Sequence, residues 1–565
     1  MARSYRPVDR EQRFLLPPDM GEWLPADHLV WFLLEVVDQL DTSVLHAVHP
    51  RGGPGRRAYD PDMLLALLFY AYASGERSSR AIERRCEVDV AFRVLCGNDT
   101  PDHSTISRFH QRHQAAFADL FCQVLTACAR AGMGRFGQVA LDGTKIAANA
   151  SMDANRTEGW LQAEATRISA EAAAVDAAED ERFGPEVRGD ELPAEFADRS
   201  GRPERIRRAL EQAAADRQKA EELTAAQQQR AADHLAAILA GESPGKPPKG
   251  VDKLAVARAR VTRDEHQHAR ATGERRSQMG TQLRRNRQRL AAEEAARAAE
   301  EAQAGVKAIG GTRGSDTTTE QAKPARTREP KANLTDPDSR PMKTRLGWLQ
   351  GYNAQAVCTD DHLILDIRAT QDRNDMAWFE PMMRAAVFAA VLMNTTKHTT
   401  HTTPDPATAA GTTTPDPATA AGTTTQPWPP PGMTSDNGIA WPIDTVLADA
   451  GYHSRHNLTV TGPDRLIAAG TARDLAYAAR HQPADGPPPT EAGPTRAMQH
   501  RLRTPEGHQT YKRRAATIEP IFGHLKDKTR LRRFRRRGLA AVDAELKLAA
   551  AVLNLTKLHN HIKLA

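Results

Sequence analysis

The stretch Asp444–Ser454, "DTVLADAGYHS", decides how the second half of the chain folds. Val446 and Leu447 continue an apolar stretch that begins at Trp441, as expected for a buried strand. The stretch then ends on a charged residue, Asp449, which is followed by Ala-Gly-Tyr. The pattern predicts a buried strand that brings a carboxylate to the edge of a sheet.

A second strand of the same kind precedes it in the chain. In "GQVALDGTKIAANASM", residues 137–152, a short strand is predicted at Val139–Leu141 and ends at Asp142. In a sheet with helical crossovers, neighbouring strand ends meet at one edge, where ligands are held. Two carboxylates there repel each other unless one is protonated or a cation lies between them. The alternative interpretation is that each aspartate only caps a turn.

Such a pair of acids is suited to a hard divalent cation. Oxygen ligands with open coordination positions favour Mg²⁺ or Mn²⁺, which bind through a few carboxylates and substrate phosphates. Two such ions about 4 Å apart can activate a nucleophile and stabilise the leaving oxygen of a phosphodiester.

A third acid lies in the most basic part of the chain, "YKRRAATIEPIFGHLKDKTRLRRFRRR", which begins at Tyr511. Glu519 stands among apolar residues there, and Lys526, seven residues on, shares its helix face. Between Arg501 and Arg537 there are 13 Lys and Arg residues against three acids, a local excess of +10. A solvated basic helix face is one explanation. We interpret the embedded acid instead as a metal ligand inside a phosphate-binding surface.

The basic segment closes on a run of arginines, "RLRRFRRR" from Arg530, with six arginines in eight residues. We expect Arg532 and Arg533 in this run to contact phosphates flanking the acid site. A run exposed only for solubility is the alternative.

Composition restricts the classes of protein to consider. The chain has 565 residues and a formal net charge of +6. The N-terminus carries no apolar signal segment, and the longest apolar run is too short to span a bilayer. Five cysteines are scattered without a CxxC pair, which is typical of reduced thiols. These features predict a soluble cytoplasmic protein without a membrane partner.

The order of predicted elements indicates an α/β fold, a sheet flanked by helices and interrupted twice. The segments are a helical N-terminal domain (1–120), the first part of the core (136–154), a helical hairpin or coiled-coil insertion (155–325), the core continued (335–395), a low-complexity disordered loop (396–435) and the last part of the core with a basic C-terminal helix (436–565).

The N-terminal domain shows a helix-turn-helix-like pattern, with helices predicted at Ala81–Val94 and Ser104–Ala115. The second helix is expected to expose side chains that reach phosphates and base edges; these are Ser104, Thr105, Arg108 and Arg112. Asp102 or Ser104 would cap it. A domain that only packs is the alternative. The histidines His110 and His113, without cysteine partners, are expected on a solvated face.

Three motifs carry a resemblance to a known family. "LDGTKIAANAS" (141–151), "LADAGYHS" (447–454) and "YKRRAATIEPIFGHLK" (511–526) resemble the acidic motifs of bacterial DDE-type insertion-sequence transposases with an RNase H-like core, in the group marked by a Tyr-Arg-Glu-Lys signature. "YDPDMLLALLFYAYASGERSSRAIERRC" with "PDHSTISRFHQRH" resembles the N-terminal domain of that group.

The resemblance implies that Asp142, Asp449 and Glu519 are the catalytic residues and hold Mg²⁺ or Mn²⁺. It implies that Tyr511, Arg514 and Lys526 contact DNA phosphates or the cleaved end; four residues separate Arg514 from Glu519, where the signature has three. The partners would be terminal inverted repeats, target DNA and a second copy of the chain. The residues leave open a catalytically inactive DNA-binding protein, such as a repressor, and a structural nucleoid protein.

The low-complexity loop carries a prediction of its own. An 11-residue unit, "TTPDPATAAGT", starts at Thr402 and is repeated from Thr413. Its composition cannot form a packed core, and a doubling of loop length costs only about 0.6 kcal/mol. We therefore expect deletion of one unit to leave folding and DNA strand cleavage unchanged. A deletion variant that precipitates or melts at a lower temperature would show that the tract is ordered.

Overall fold

The computed structural model describes residues 19–48, 58–183, 201–242, 247–248, 251–309, 330–401, 427–431, 433–435 and 438–564. The duplicated 11-residue unit lies outside these residues. The chain divides into two compact units, Met1–Asn155 with Asn333–Ala565, and Arg156–Ala332.

The elements are numbered in chain order. The strands are β1 (Gln138–Ala147), β2 (Asn155–Thr157), β3 (Lys331–Asn333), β4 (Arg340–Thr344), β5 (Gly347–Thr359), β6 (Ile364–Thr370), β7 (Thr434–Ser435), β8 (Gly438–Ile439), β9 (Thr445–Ala448) and β10 (Asp464–Ile467).

The helices of the first unit that precede the second are α1 (Leu29–Gln39), α2 (Ser43–His46), α3 (Pro61–Ala73), α4 (Ser79–Val88), α5 (Val90–Leu95), α6 (His103–Arg112) and α7 (Ala116–Arg130). The second unit contains α8 (Glu158–Phe183), α9 (Gly201–Leu239), α10 (Lys253–Arg270) and α11 (Gly273–Ile309). The first unit continues with α12 (Phe379–His401), α13 (Arg455–Thr459), α14 (Ala472–His481), α15 (Pro494–Arg501), α16 (Pro505–Asp527) and α17 (Leu539–Leu564).

The first unit is built on a mixed sheet with the strand order β10-β9-β1-β5-β4, in which β6 also pairs with β5. β5 is antiparallel to β1, β4 and β6, whereas β9 is parallel to both β1 and β10. β1 is therefore central, with an antiparallel neighbour on one side and a parallel neighbour on the other. The predicted α/β class is confirmed.

β1 is longer than its apolar pattern suggests. The sequence predicts that the strand ends at Asp142, but in the structure it continues to Ala147, which pairs with Gly351 of β5. This prediction is wrong because an Asp-Gly pair is typical of a turn, whereas here the long partner β5 extends the ladder past it. Asp142 lies inside the strand rather than at its end.

The N-terminal helices and the sheet share one apolar core. Phe69 of α3, Val124 of α7 and Leu548 of α17 are all within 1% of complete burial in the same cluster as the strand residues Leu141 and Val446. α17 packs against α7, α3 and β6. The sequence predicts a separate N-terminal domain at residues 1–120. In the structure these helices pack with the sheet in one unit, joined through α17, the last helix described.

α12 covers part of the sheet and contacts both β5 and β6. Its apolar face repeats at helical spacing and is fully buried: Phe379, Met382, Met383, Ala386, Val387, Ala390 and Met393. Within the described residues, Met376–Lys397 is also a stretch long and apolar enough to cross a membrane by length and composition. Its burial against the sheet is that of a core helix.

The second unit is made of α8–α11, and consecutive helices contact one another. Its apolar contacts are small; one cluster consists of Ile238, Val256 and Ala259. A polar contact is also buried, because Asn286 Nδ2 donates to Asp264 Oδ2 at 2.6 Å, and both residues are more than 90% buried. The helical character predicted for the insertion is present in these residues.

Candidate active site

Parallel pairing of β1 with β9 brings two aspartates side by side. The register aligns Leu141 with Ala448, so Asp142 and Asp449 occupy the next position on the two neighbouring chain segments. β9 ends immediately before Asp449, as predicted, and this carboxylate accepts a hydrogen bond from the backbone N–H of Gly451 at 2.9 Å. Both aspartates are partly buried.

The environment of this pair disfavours two bare negative charges. Burial raises the pKa of Asp142 and of Asp449 above the ordinary value of an aspartate, and the charge of Asp449 raises that of Asp142 further. Arg514 opposes the effect, because its Nη1 lies 2.9 Å from Asp142 Oδ2. A pair of this kind is stabilised by a positive charge between or beside the two carboxylates.

α16 supplies the basic residues of the site. Thr504 caps the helix by accepting a hydrogen bond from the Gly507 N–H. Its apolar side is buried against the first unit through Ile518, Ile521 and Leu525. Lys526 Nζ donates to Thr144 Oγ1 at 2.6 Å, and burial lowers the pKa of Lys526. The helix therefore holds basic side chains over β1, from Asp142 to Thr144.

Tyr511 joins the same group. It is one helical turn before Arg514 and interacts with that guanidinium, while burial raises the pKa of the Tyr511 phenol. The structure thus brings together Tyr511, Arg514 and Lys526 with Asp142 and Asp449.

Glu519 is placed differently. Its side chain is exposed, and its carboxylate makes no hydrogen bond or ion pair to any residue that the structure describes. Within the described chain, Asp142, Asp449 and Glu519 do not place three carboxylate oxygens within 4.8 Å of one another. The helix that carries Glu519 lies on the site, but the carboxylate itself does not join the two aspartates.

One group of three acids and histidines does meet that distance among the described residues. It consists of His46, Asp60 and Asp62, on the surface of the N-terminal helices. Asp60 caps α3, and His46 Nε2 lies 3.1 Å from Asp62 Oδ2. These contacts already account for the group as a helix cap with an exposed ion pair.

A further acid, Asp375, lies beside the aspartate pair and is not among the acids predicted from the sequence. Its charge raises the pKa of Asp449, and Lys145 Nζ lies 3.3 Å from its Oδ1. Asn353 and Gln355 of β5 also donate to that oxygen. The sequence "YNAQ" places two amides inside an otherwise buried strand. Because buried amides require polar partners, this pattern could have indicated a polar residue nearby.

The helix α6 is capped as expected, by Asp102. Its carboxylate accepts hydrogen bonds from the N–H groups of Ser104 and Thr105, and also from both hydroxyls. Arg108 is exposed but donates to Ser104 Oγ at 3.0 Å. α5 (Val90–Leu95) separates α4 from α6, so the helices are not joined by a single short turn. DNA contact by Ser104, Thr105 and Arg108 stays a prediction.

The expectation that His110 and His113 face solvent is wrong. They are 4% and 3% exposed. His110 Nε2 lies 3.3 Å from the Tyr72 hydroxyl, and burial lowers the pKa of His110 to about 3. Both rings pack with aromatic neighbours: His110 with Phe117, and His113 with Phe109. The residue type alone did not predict the burial of these two histidines. Neutral imidazole packs well against aromatic rings, although histidine is a polar residue.

The arginine run forms a loop between α16 and α17, rather than a continuation of the helix. The backbone of the loop pairs with the end of β1, because Phe534 N donates to Ala147 O at 2.8 Å. The side chains of Arg532, Arg533 and Arg535 are exposed. Most of the basic side chains of the loop therefore project outward. The loop itself is held at the end of β1, the strand that also carries Asp142.

We expect replacement of Arg532, Arg533 and Arg535 by Gln to weaken duplex DNA binding with little dependence on sequence. Each phosphate contact contributes about 0.9 to the slope of log K against log salt. The slope should therefore flatten by roughly two to three units, measured by fluorescence anisotropy across a salt series.

Arg536 is kept in this variant, since its guanidinium donates to Ser107 O at 3.3 Å and fixes the loop. Replacement of the exposed Arg473, Arg480 and Arg496 by Gln removes the same charge elsewhere and is the matched control. Equal flattening by the control would mean that the loop has no special role. Weakening limited to terminal-repeat DNA would mean that the loop reads bases.

The donor set of the aspartate pair fits a hard divalent cation. Asp142 and Asp449 supply carboxylate oxygens, which Mg²⁺ and Mn²⁺ prefer, and burial makes their unneutralised charges unfavourable. Among the described residues, no cysteine or histidine, which would favour zinc or other softer metals, makes a hydrogen bond or ion pair with either carboxylate.

Comparisons with known proteins are consistent with a site of paired acids and basic residues. A family model described as "Transposase domain (DUF772)" matches residues 18–112, and one described as "Transposase DDE domain" matches residues 489–559. No curated protein and no solved structure matches the chain. The second match contains α16 with its basic residues, and the first covers the N-terminal helices through α6. The two matches support the resemblance of this chain to insertion-sequence transposases of the DDE type.

Proposed function

We propose that this chain binds the ends of an insertion sequence and catalyses metal-dependent DNA strand cleavage and strand transfer. The observation that carries the proposal is that Asp142 and Asp449 directly follow the paired positions Leu141 and Ala448 of β1 and β9, with Arg514 bound to Asp142. In this reaction water attacks the phosphodiester at the end of the element, and the freed 3′-hydroxyl then attacks target DNA.

An RNase H-like class for the core belongs to the same proposal. Its support is the arrangement of the sheet, in which antiparallel strands β6, β5 and β1 continue into the parallel strands β9 and β10. Helices pack on this sheet, among them α12 and α16.

In the proposed site Asp142, Asp449 and Glu519 would hold the cation. When bound, Mg²⁺ or Mn²⁺ activates the attacking oxygen and stabilises the leaving oxygen. Glu519 is exposed on the helix that covers β1, so its side chain is free to turn when DNA and cation arrive. The proposal requires the Glu519 carboxylate to approach the two aspartates in that complex.

The residues of the chain itself bind and orient the DNA. Lys526 and Tyr511 would contact phosphate oxygens on either side of the scissile bond. Arg514 would hold the Asp142 carboxylate in its ionised form until a cation replaces part of its contact. Exposed Arg532 and Arg533 would follow the backbone away from the site.

The partners proposed are the terminal inverted repeats and target DNA, with a second copy of the chain in the complex that joins two ends. A cytoplasmic location at the nucleoid follows from such partners. The chain is basic, with a formal net charge of +6, and its basic residues concentrate near the proposed site, which favours a polyanion there.

A second candidate function is DNA binding without cleavage, as in a repressor. The observation that favours it is the separation of Glu519 from the two aspartates. To decide between them, purified protein is incubated with a duplex of the element end and Mg²⁺, and strand cleavage is mapped. A cut at the element boundary supports the transposase. Retarded but intact DNA supports the repressor.

We expect cleavage with Mg²⁺ or Mn²⁺ and none with Ca²⁺. Ca²⁺ takes more ligands at longer distances and does not hold the compact octahedral geometry of this chemistry. The measurement is cleavage of end duplex in each ion, with DNA binding followed in parallel. Full cleavage in excess EDTA would exclude the metal mechanism.

A further inference from the structure

Asp375 occupies a position that joins the two strands of the proposed site. It precedes a short helical turn, Met376–Trp378, at the entrance to α12. Its Oδ1 accepts hydrogen bonds at 2.6 Å from Asn353 Nδ2 and from Gln355 Nε2, and lies 3.3 Å from Lys145 Nζ. One carboxylate oxygen therefore holds side chains from both β1 and β5.

Two glycines allow this acid to approach so closely. A Cβ on Gly143, the residue after Asp142, would lie 2.6 Å from Asp375 Oδ1. A Cβ on Gly451, two residues after Asp449, would lie 3.3 Å from Asp375 Oδ2. The first distance is shorter than real Cβ contacts, and the second is tight. The space for Asp375 is thus made by a glycine beside each aspartate of the pair.

The network continues behind Asp375. The Tyr452 hydroxyl, fully buried, donates to Gln355 Oε1. Asn353 is also fully buried, and its Oδ1 has no hydrogen-bond partner among the described residues. Buried amides and hydroxyls are normally satisfied, so a nearly complete polar network here indicates a role beyond packing.

The two oxygens of Asp375 have different surroundings. Oδ1 receives all three donors, whereas Oδ2 is on the side of Gly451 and the Asp449 turn. Three acids (Asp142, Asp375 and Asp449) lie together here with three bases: Lys145 contacts Asp375, Arg514 contacts Asp142, and Lys526 contacts Thr144. Asp449 makes no ion pair among the described residues, and a cation bound beside it would relieve the repulsion between these carboxylates.

We infer that Asp375 is a positioning residue of the proposed active site: its Oδ1 fixes Lys145 and the two central strands, and its negative charge beside Asp449 strengthens the binding of the divalent cation. The inference rests on the proposed function. It adds a fourth acid, acting through Asp449 and Lys145, to the three that the sequence motifs supply.

The test compares two variants with the full-length protein. Asp375→Asn keeps an oxygen for the Asn353 and Gln355 amides but removes the charge. Asp375→Ala removes both. Asp474→Asn, in the exposed capping box of α14, removes one acidic charge elsewhere and is the matched control. Mn²⁺ affinity is measured from the electron paramagnetic resonance signal of free Mn²⁺, and the thermal unfolding midpoint is measured without metal.

We expect Asp375→Asn to keep the unfolding midpoint of the parent and to lower Mn²⁺ affinity by about tenfold. Asp375→Ala should lower Mn²⁺ affinity by up to about 100-fold, which is the upper end of the effect of mutating residues that orient metal ligands. The control should bind Mn²⁺ as the parent does. Cleavage of the end duplex should fall in the same order.

The outcomes separate this inference from the proposed function. If the parent binds Mn²⁺ and cleaves, but Asp375→Asn binds Mn²⁺ equally well, the role of Asp375 is refuted while the function stands. A lowered unfolding midpoint with unchanged Mn²⁺ affinity would make Asp375 purely structural, and refutes it too. If the parent neither binds Mn²⁺ nor cleaves, the proposed function itself fails.

Discussion

Alanine at Asp142 or at Asp449 is expected to abolish DNA strand cleavage while end-DNA binding stays largely intact. The two carboxylates follow paired positions of the parallel strands β1 and β9 and are partly buried, so neither can replace the other as a cation ligand. We expect cleavage to fall by at least about three orders of magnitude, equivalent to roughly 4 kcal/mol of transition-state stabilisation. Strand-cleavage kinetics with Mg²⁺ and gel-shift binding measure the two properties separately.

Glu519→Ala should lose cleavage activity to the same extent. This variant is the most informative of the three, because the Glu519 carboxylate lies apart from the two aspartates in the structure. Glu519 is exposed in the free protein, so its truncation should leave the unfolding midpoint unchanged. Glu506→Ala, in the exposed first turn of the same helix, is the matched control. Near-normal cleavage by Glu519→Ala would remove Glu519 from the site and leave Asp375 as the candidate third acid.

The sequence was informative where a signal is local. β9 and the acid that follows it, Asp449, could be predicted from a short apolar run followed by an acid, and Asp102 was one of two candidates for the cap of α6. These features depend on residues within a few positions of one another, because strand alternation and helix capping are local effects.

The sequence was uninformative where the partner is distant. Asp375 receives hydrogen bonds from Lys145, Asn353 and Gln355, which are 230, 22 and 20 residues away. No periodicity links such residues before the sheet is known. The length of β1 depends in the same way on β5, and the burial of His110 depends on Tyr72 of another helix, 38 residues away.

A buried polar contact also links the N-terminal helices to α17. Glu545, in the first turns of α17, is fully buried and accepts a hydrogen bond from Arg77 Nη1 at 2.6 Å. It also accepts from the backbone N–H groups of Arg535 and Arg536. Arg77 in turn donates to the carbonyl oxygen of Arg533 at 3.0 Å. A buried ion pair therefore holds the arginine loop in shape.

Glu545→Ala is expected to lower the free energy of unfolding by about 3–5 kcal/mol, because it leaves the Arg77 guanidinium buried without its counter-charge. The measurement is urea unfolding followed by circular dichroism. The loop should lose its fixed backbone as well, so DNA binding should weaken at temperatures where the variant is still folded.

Glu545→Gln separates these two effects. Its amide oxygen can still accept one hydrogen bond, while its NH₂ group opposes the N–H donors of Arg535 and Arg536. We expect intermediate stability with DNA binding weakened nearly as much as in the alanine variant.

The double variant Arg77→Met with Glu545→Leu removes both charges and should recover stability relative to Glu545→Ala, since replacing both partners of a buried pair is often neutral. If it recovers stability but not DNA binding, the buried pair serves the arginine loop and not the core. Recovery of both would show that the loop reaches DNA without this anchor, and would contradict a coupling between the buried ion pair and the DNA-binding surface.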